Sequence, residues 1–300
     1  MPHLQTGFYP KLISAWRDGY NLQSFKADVV AALTVAIVAL PLSMAIAIAS
    51  HVGPERGLYT AIVGGFLISA LGGSRFQIGG PAGAFIVLVA AIVDSKGIDA
   101  LVLATMMAGI ILFIVGASGL GRFIRYVPHA VTVGFTAGIA VIIFASQIKD
   151  LFGLHLAGQE PGALVAKLVA LFSAAATINF AAIGIAVLCI GLILAIRRYR
   201  PQWPSLLVAV CVASVIALAM PGATETIASR FGGIPSSLPS PHLPEISAAR
   251  LWELLPSALS LALLGGIESL LSAIVADGMS GRKHRASTEL MGQGLSLIHI

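Results

Sequence analysis

Gln77-Ile78-Gly79-Gly80-Pro81-Ala82-Gly83-Ala84-Phe85 places a short, extended, glycine-rich stretch directly before a hydrophobic helix at membrane depth. In hydrocarbon an unpaired backbone N–H or C=O is costly, so irregular backbone persists there only when it is buried in protein or lines a cavity. Pro81 suits the first turn of a helix running to about Val93, because it lacks one of the donors that a helix start leaves orphaned. The remaining free N–H groups and the positive end of the helix dipole, roughly half a charge, face whatever precedes them. An anion is the natural occupant.

The surrounding chain has 300 residues, 57% hydrophobic and 10% charged, with a mean hydropathy of +0.94. That composition excludes an ordinary soluble domain and describes an integral membrane protein. Apolar runs of about twenty residues occupy 28–50, 57–72, 99–118, 129–148, 178–197, 204–220 and 252–276. The segment 82–94 is too short to cross alone at ~1.5 Å per residue, but it crosses if the extended residues before it supply the rest. The expectation is therefore an all-α membrane protein with eight passages.

Residues 1–27 contain Trp16, Arg17, Asp18 and Tyr20 and no apolar core bounded by a small-residue cleavage site, so the first hydrophobic segment is expected to be a retained anchor. Met1-Pro2 excludes an N-myristoylation start. With the N-terminus cytoplasmic, twelve lysines and arginines fall inside and six outside, and Arg197-Arg198-Tyr199-Arg200 and Arg282-Lys283-His284-Arg285 lie on the inner side. Topology thus accounts for the net charge of +5, and nucleic acid is not an expected partner. Between spans, Gly158 to Thr177 reads as an amphipathic stretch along the outer interface, with Lys167 among Leu164, Val165, Leu168 and Leu171. The Pro- and Gly-rich run from Gly232 to Pro241 reads as an extended surface connection.

Two further features bear on transport. Pro41, in Leu40-Pro41-Leu42-Ser43, removes a mid-helix hydrogen bond and is expected to bend or interrupt the first span. Read alone it is equally a packing kink, but two interrupted helices in one bundle point to a midplane site. Glu268 is a carboxylate well inside an apolar span, where a charge costs about 3 kcal/mol, and Ser272 lies one turn later on the same face. The pair suits a group that binds and releases a proton during turnover, against the alternative of a neutral carboxyl that only packs helices together. Gly265-Gly266 and the other paired glycines are assigned to close helix packing. Cys189 and Cys211 read as small buried hydrophobes, the histidines have no metal-site spacing, and no catalytic constellation is visible. No cofactor, metal or enzymatic activity is expected.

Taken together, Asp28 to Ile46 with its Leu40-Pro41, Gly53-Pro54-Glu55-Arg56-Gly57-Leu58-Tyr59-Thr60-Ala61, Gly72-Gly73-Ser74-Arg75, Gly79-Gly80-Pro81, Gly134-Phe135-Thr136-Ala137-Gly138 and Ile267-Glu268-Ser269-Leu270-Leu271 closely resemble the sulfate permease family of anion transporters. The resemblance runs from about residue 20 to 294. It implies fourteen segments in two inverted repeats of seven, divided into a core and a gate, often followed by a cytoplasmic regulatory domain and usually dimeric. On that pattern residues 1–27 are a cytoplasmic segment and 28–250 the first repeat (core 28–120, gate 128–220, outer loop 221–250). Residues 251–294 are then the first helix of the second repeat with a cytoplasmic loop. Leu295-Ser296-Leu297-Ile298-His299-Ile300 matches the translation of a common transposon sequencing adapter, so residues 295–300 are expected to be an artefactual tail and the native chain to continue beyond 294.

The resemblance also implies an anion held between facing half-helix ends of the third and tenth segments, near the first and eighth. Carried onto this sequence, Gly80, Pro81, Ala82, Gly83, Ala84 and Phe85 form one half of the site, and Leu42, Ser43 and Ile46 line it. Glu268 and Ser272 take the place of the coupling-ion carboxylate and its hydroxyl partner, and Glu at that position resembles the proton-coupled members. Many members carry Gln where this chain has Leu42 and Thr where it has Ala82, each a lost polar contact. The resulting expectation is a proton-coupled sulfate transporter of the inner membrane, dimeric when full-length. The competing readings are a bicarbonate or dicarboxylate transporter, an anion channel, a non-transporting fragment, or a nucleobase permease on the same fold.

Overall fold

The computed structural model describes residues 9–121, 123, 129–158, 160–161, 163–201, 203–226, 228–229, 233 and 244–299. Among them the regular structure is helical: α1 Lys11–Arg17, α2 Leu22–Ala49, α3 Pro54–Tyr59, α4 Gly65–Leu71, α5 Ile86–Lys96, α6 Ile98–Ala117, α7 His129–Phe152, α8 Leu164–Ser173, α9 Phe180–Tyr199, α10 Ser205–Ala219, α11 Ala248–Ser280 and α12 Ala286–Ile298. A π-helical turn, Thr60–Gly64, joins α3 to α4. Four helices among the described residues, α2, α6, α9 and α11, are long and apolar enough to cross a membrane, and α8 and α10 are shorter apolar helices. The helix starts are capped in the ways their sequences suggest. Asn21 accepts from Ser24 N at the head of α2, Asn179 from Ala181 N at the head of α9, and Ser247 from Arg250 N at the head of α11. Gly281, left-handed at φ 67°, closes α11.

Helix α2 runs unbroken through Pro41, so of the expected bend or interruption the interruption does not occur. A single missing N–H is tolerated inside a membrane helix because its surroundings can satisfy the one freed carbonyl. Cys211 is exposed and Cys189 half-buried, so Cys211 is not the buried hydrophobe expected of it. The anticipated 232–241 connection, Arg122, Arg125 and Arg230 lie largely or wholly outside the described residues.

The chain divides into two compact units, one comprising Met1–Ala27, Ser43–Thr136 and Ser237–Ile300, the other Asp28–Leu42 and Ala137–Ser236. In the first, α6 is the central helix, packed by α5, α11 and α12 around Ile92, Ala104, Ala108, Leu112, Leu261, Ala262, Leu270 and Leu290. Lipid is as apolar as leucine, so close packing, more than transfer out of water, holds such a bundle together. The small residues Ala104 and Ala108 let the helices approach. In the second unit α9 packs on α10, and a small cluster of Leu154, Leu171 and Ala174 lies beside α8.

Helix α8 inverts the amphipathic reading. Lys167 is only 3% exposed and its Nζ lies 2.8 Å from Glu160 Oε1, while Val165 and Phe172 face outward. The charge is turned into the protein and the apolar face out, which suits surroundings of hydrocarbon. Removing one partner of a buried pair strands the other charge. Lys167→Met is accordingly expected to destabilise the folded protein by about 3–5 kcal/mol, with Lys167→Met/Glu160→Gln recovering most of the loss in detergent thermal unfolding. A double variant no more stable than the single one would contradict the pairing.

Candidate functional site

The chain leaves α4 through Gly72-Gly73-Ser74, bends at Gly73 and at Arg75-Phe76, and runs without regular structure to Ala82, whose φ of −126° and ψ of 139° are those of a strand residue. A 3-10 turn, Gly83–Phe85, then leads into α5. Pro81 therefore lies two residues ahead of the helix and not in its first turn, as its sequence position suggested. The first bond of the turn runs from Phe85 N to Ala82 O, 3.1 Å. The Phe85 ring is set against Gly265 of α11 and Leu112 of α6 borders the same place; a Cβ on Gly265 would stand 3.4 Å from Phe85 Cζ. This aromatic anchor fixes where the turn begins. The N–H groups of Gly83 and Ala84 precede that first bond, and no acceptor among the described residues takes them. A cluster of two donors at a helix head is a natural seat for an anion.

Opposite the stretch, α11 carries Glu268, Ser269 and Ser272. Glu268 is half-buried, and its Oε2 is a buried oxygen with no hydrogen-bond partner among the described residues. Ser272 Oγ donates to Ser269 O at 3.0 Å and accepts from Gln77 Nε2 at 2.8 Å. The same Gln77 nitrogen lies 3.0 Å from Ser269 O and 3.3 Å from Ser269 Oγ. Gln77 thus joins the extended stretch directly to the helix that carries Glu268. It stood within the quoted sequence without a role, and the only available signal was an amide in an otherwise apolar, small-residue run.

The corner that launches the stretch is held by α12, a helix where a loop and tail were expected. Glu289 is 0% exposed; its Oε2 accepts from Gly73 N at 2.6 Å and Ser74 N at 3.0 Å, and its Oε1 meets Ser269 Oγ at 3.5 Å. Arg285 N donates to Gly73 O at 2.8 Å, and its guanidinium donates to Tyr9 O at 2.9 Å while lying 4.3 Å above the Tyr9 ring. Lys11 N donates to Gly72 O at 3.0 Å. Arg75 hydrogen-bonds the exposed Asp18, and that bond holds the Asp18 carboxyl below its ordinary range. This tie is complete above the ordinary carboxylate range and is lost as pH falls through the depressed value.

Of the residues proposed for the anion, Gly80 to Phe85 are contiguous at the helix head, and Phe85 brings them to within a few residues of Glu268 along α11. Ser43 and Ile46 are buried, and the Ser43 backbone abuts Gly57 of α3. Leu42 is 53% exposed and belongs to the second unit. No group of three or more metal-binding side chains occurs among the described residues.

Comparison with known proteins gives a consistent picture. The model of the sulfate permease family matches residues 25–299. YvdB of Bacillus subtilis, provisionally named a sulfate transporter, is 43% identical over 93% of this chain and 52% of its own length. The structure of the transmembrane domain of a cyanobacterial bicarbonate transporter, BicA, superposes with a TM-score of 0.78 at 28% identity, covering 93% of this chain and 72% of that one. The murine solute carrier 26 family member A9 anion transporter, in its inward-facing state, has the same fold at 17% identity, with a TM-score of 0.79 over all of this chain and 53% of its own. The chain spans about half the length of the curated relatives it matches.

Proposed function

This chain belongs to the sulfate permease family, a family of multi-pass membrane transporters and not of enzymes, and from that membership we propose that its full-length form takes up sulfate by secondary active transport driven by protons. The observation that carries the proposal is the pairing of an unsatisfied helix head at Gly83 and Ala84 with a carboxylate, Glu268, on the helix packed against Phe85. Backbone N–H groups and a helix dipole favour a small oxyanion without demanding a basic side chain. The carboxylate gives the same site a place for a proton, so that anion and proton loads can be linked. Gly80, Pro81, Ala82, Gly83, Ala84 and Phe85, with Leu42, Ser43 and Ile46, form this chain's share of the anion site; Glu268 and Ser272 hold the coupling ion. Core and gate units moving against each other, in an elevator or rocking motion, would alternate access across the plasma membrane. The N-terminus is cytoplasmic and the full-length protein is a homodimer.

Sulfate is placed first because YvdB, at 43% identity, carries a sulfate name. Bicarbonate is the second reading, favoured by the 28% identity and fold match to BicA. Small dicarboxylates present similar oxygens and form a third class. The test is uptake of radiolabelled sulfate into proteoliposomes holding the full reading frame, with and without an inward proton gradient, and with unlabelled bicarbonate and succinate as competitors. Gradient-stimulated sulfate uptake is the expected result. Transport of a competitor with no sulfate uptake would move the substrate to that anion.

A further inference from the structure

Gln77 sits in a hydrogen-bond geometry that allows only one orientation of its amide. Ser269 O, 3.0 Å away, can only accept, so the amide nitrogen and not its oxygen must face α11. The hydroxyl proton of Ser272 is committed to Ser269 O, so toward Gln77 its oxygen can only accept. The amide therefore fixes the rotor of Ser272 and leaves that hydroxyl one further role, as an acceptor. On the far side of the amide, Gln77 Oε1 is buried with no partner among the described residues, as is Glu268 Oε2. Buried unpaired acceptors cost about 1–3 kcal/mol each, so each of these two oxygens calls for a proton donor or a cation and neither suits an anion.

From this geometry we propose that Gln77 is the positioning residue of the coupling step: its amide orients Ser272 beside Glu268 and ties the 268–272 turn of α11 to the stretch that begins the anion-binding helix head. The proposal rests on the coupled-transport reading above. The network it belongs to is continuous. Gly73 N and Ser74 N donate to Glu289, which accepts from Ser269 Oγ; Ser269 and Ser272 both accept from Gln77. Among charged groups on the elements packed against α11, Glu289 of α12 reaches this turn through Ser269. Lys96, from the end of α5, pairs with Glu253, about 22 Å along α11 from Glu268 at ~1.5 Å per residue. Asp94 pairs with His51, and Asp99 lies in the first turn of α6. Glu268 stands one helical turn before Ser272 on α11, and Gln77, which holds Ser272, is four residues from Pro81.

The experiment uses the full reading frame in proteoliposomes and reads the ratio of gradient-driven to gradient-free anion uptake, with proton and sodium gradients imposed in parallel. Gln77→Met keeps length and packing but removes the donors, and Gln77→Glu keeps the shape but replaces donor by acceptor. Both are expected to lower the ratio several-fold while gradient-free uptake falls less. Because Gln77 acts through Ser272, Gln77→Met/Ser272→Ala is expected to match Ser272→Ala alone. A residue that merely fills space would tolerate Met, and its effect would add to that of Ser272→Ala. An undiminished ratio in both variants, or additive losses, would overturn the inference while leaving coupled transport intact. If wild-type uptake follows sodium and not protons, the proton reading fails, and the inference then stands or falls on the sodium ratio. Wild-type uptake indifferent to both gradients would remove the coupled reading and the inference with it.

Discussion

Glu268→Gln is expected to bring the ratio of proton-driven to gradient-free uptake down to unity in proteoliposomes. Gln keeps the size of Glu and one carbonyl oxygen, so the packing of α11 against Phe85 and Leu112 is retained, but it can neither carry a charge nor exchange a proton. Glu253 and Asp277 also lie on α11, but Glu253 pairs with Lys96 and Asp277 with His284 near the two ends of the helix. Among the described residues Glu268 has no such partner for its buried Oε2. A carboxyl kept at membrane depth against an insertion cost of about 3 kcal/mol, with an oxygen left unpaired, is the arrangement a transient ligand requires. A purely structural Glu would be replaced by Gln with its hydrogen bonds intact and its coupling unaltered. Retained proton stimulation in Glu268→Gln, with membrane insertion verified, would therefore assign the carboxyl to packing and move the coupling site elsewhere.

The bundle and the break were legible in the sequence because each is written in a local signal. Apolar length marks the spans, and Gly79-Gly80-Pro81 marks extended backbone. Glu268 stood out because a carboxylate is out of place in an apolar span, whereas Gly80 to Phe85 were singled out by the glycines and proline before a helix and by the family resemblance. What escaped was decided by tertiary contact. Ala286–Ile298 is too polar and glycine-containing to read as a span, yet it forms a helix because it packs directly on α6. A Cβ on Gly294 would lie 2.6 Å from Gly109 O, so the two helices meet backbone to backbone. Lys167 read as the polar member of an amphipathic interfacial stretch because its partner Glu160 lies seven residues earlier, ahead of the helix, in a segment without regular structure. Pro81 misplaced the helix start by two residues because the Phe85 contact with Gly265, distant in sequence, sets the first turn.

Gly73→Val is expected to prevent the folded protein from accumulating, and the reason lies in how α12 holds the corner before Gln77. A Cβ at Gly73 would drive into Arg285 O and stand 2.8 Å from Glu289 N. Both are backbone atoms of a packed segment, so no side-chain rotation relieves the overlap. Glu289 offers a graded version of the same test. Glu289→Leu removes the acceptor from two N–H groups, Gly73 N and Ser74 N, at about 1–3 kcal/mol for each buried donor left unpaired. Glu289→Gln retains one carbonyl oxygen and should cost distinctly less. The order expected in detergent thermal unfolding is wild type, Glu289→Gln, Glu289→Leu, with no monodisperse Gly73→Val to measure. A monodisperse Gly73→Val with an unchanged unfolding midpoint would mean that α12 does not hold this corner. If the order holds, the carboxylate that braces the corner and the serine that receives Gln77 belong to one strut, since Glu289 Oε1 meets Ser269 Oγ. The helix head at Gly83 is then positioned from the corner that Glu289 braces, and loosening Glu289 should weaken uptake and fold together, whereas Gln77→Met is expected to act on coupling.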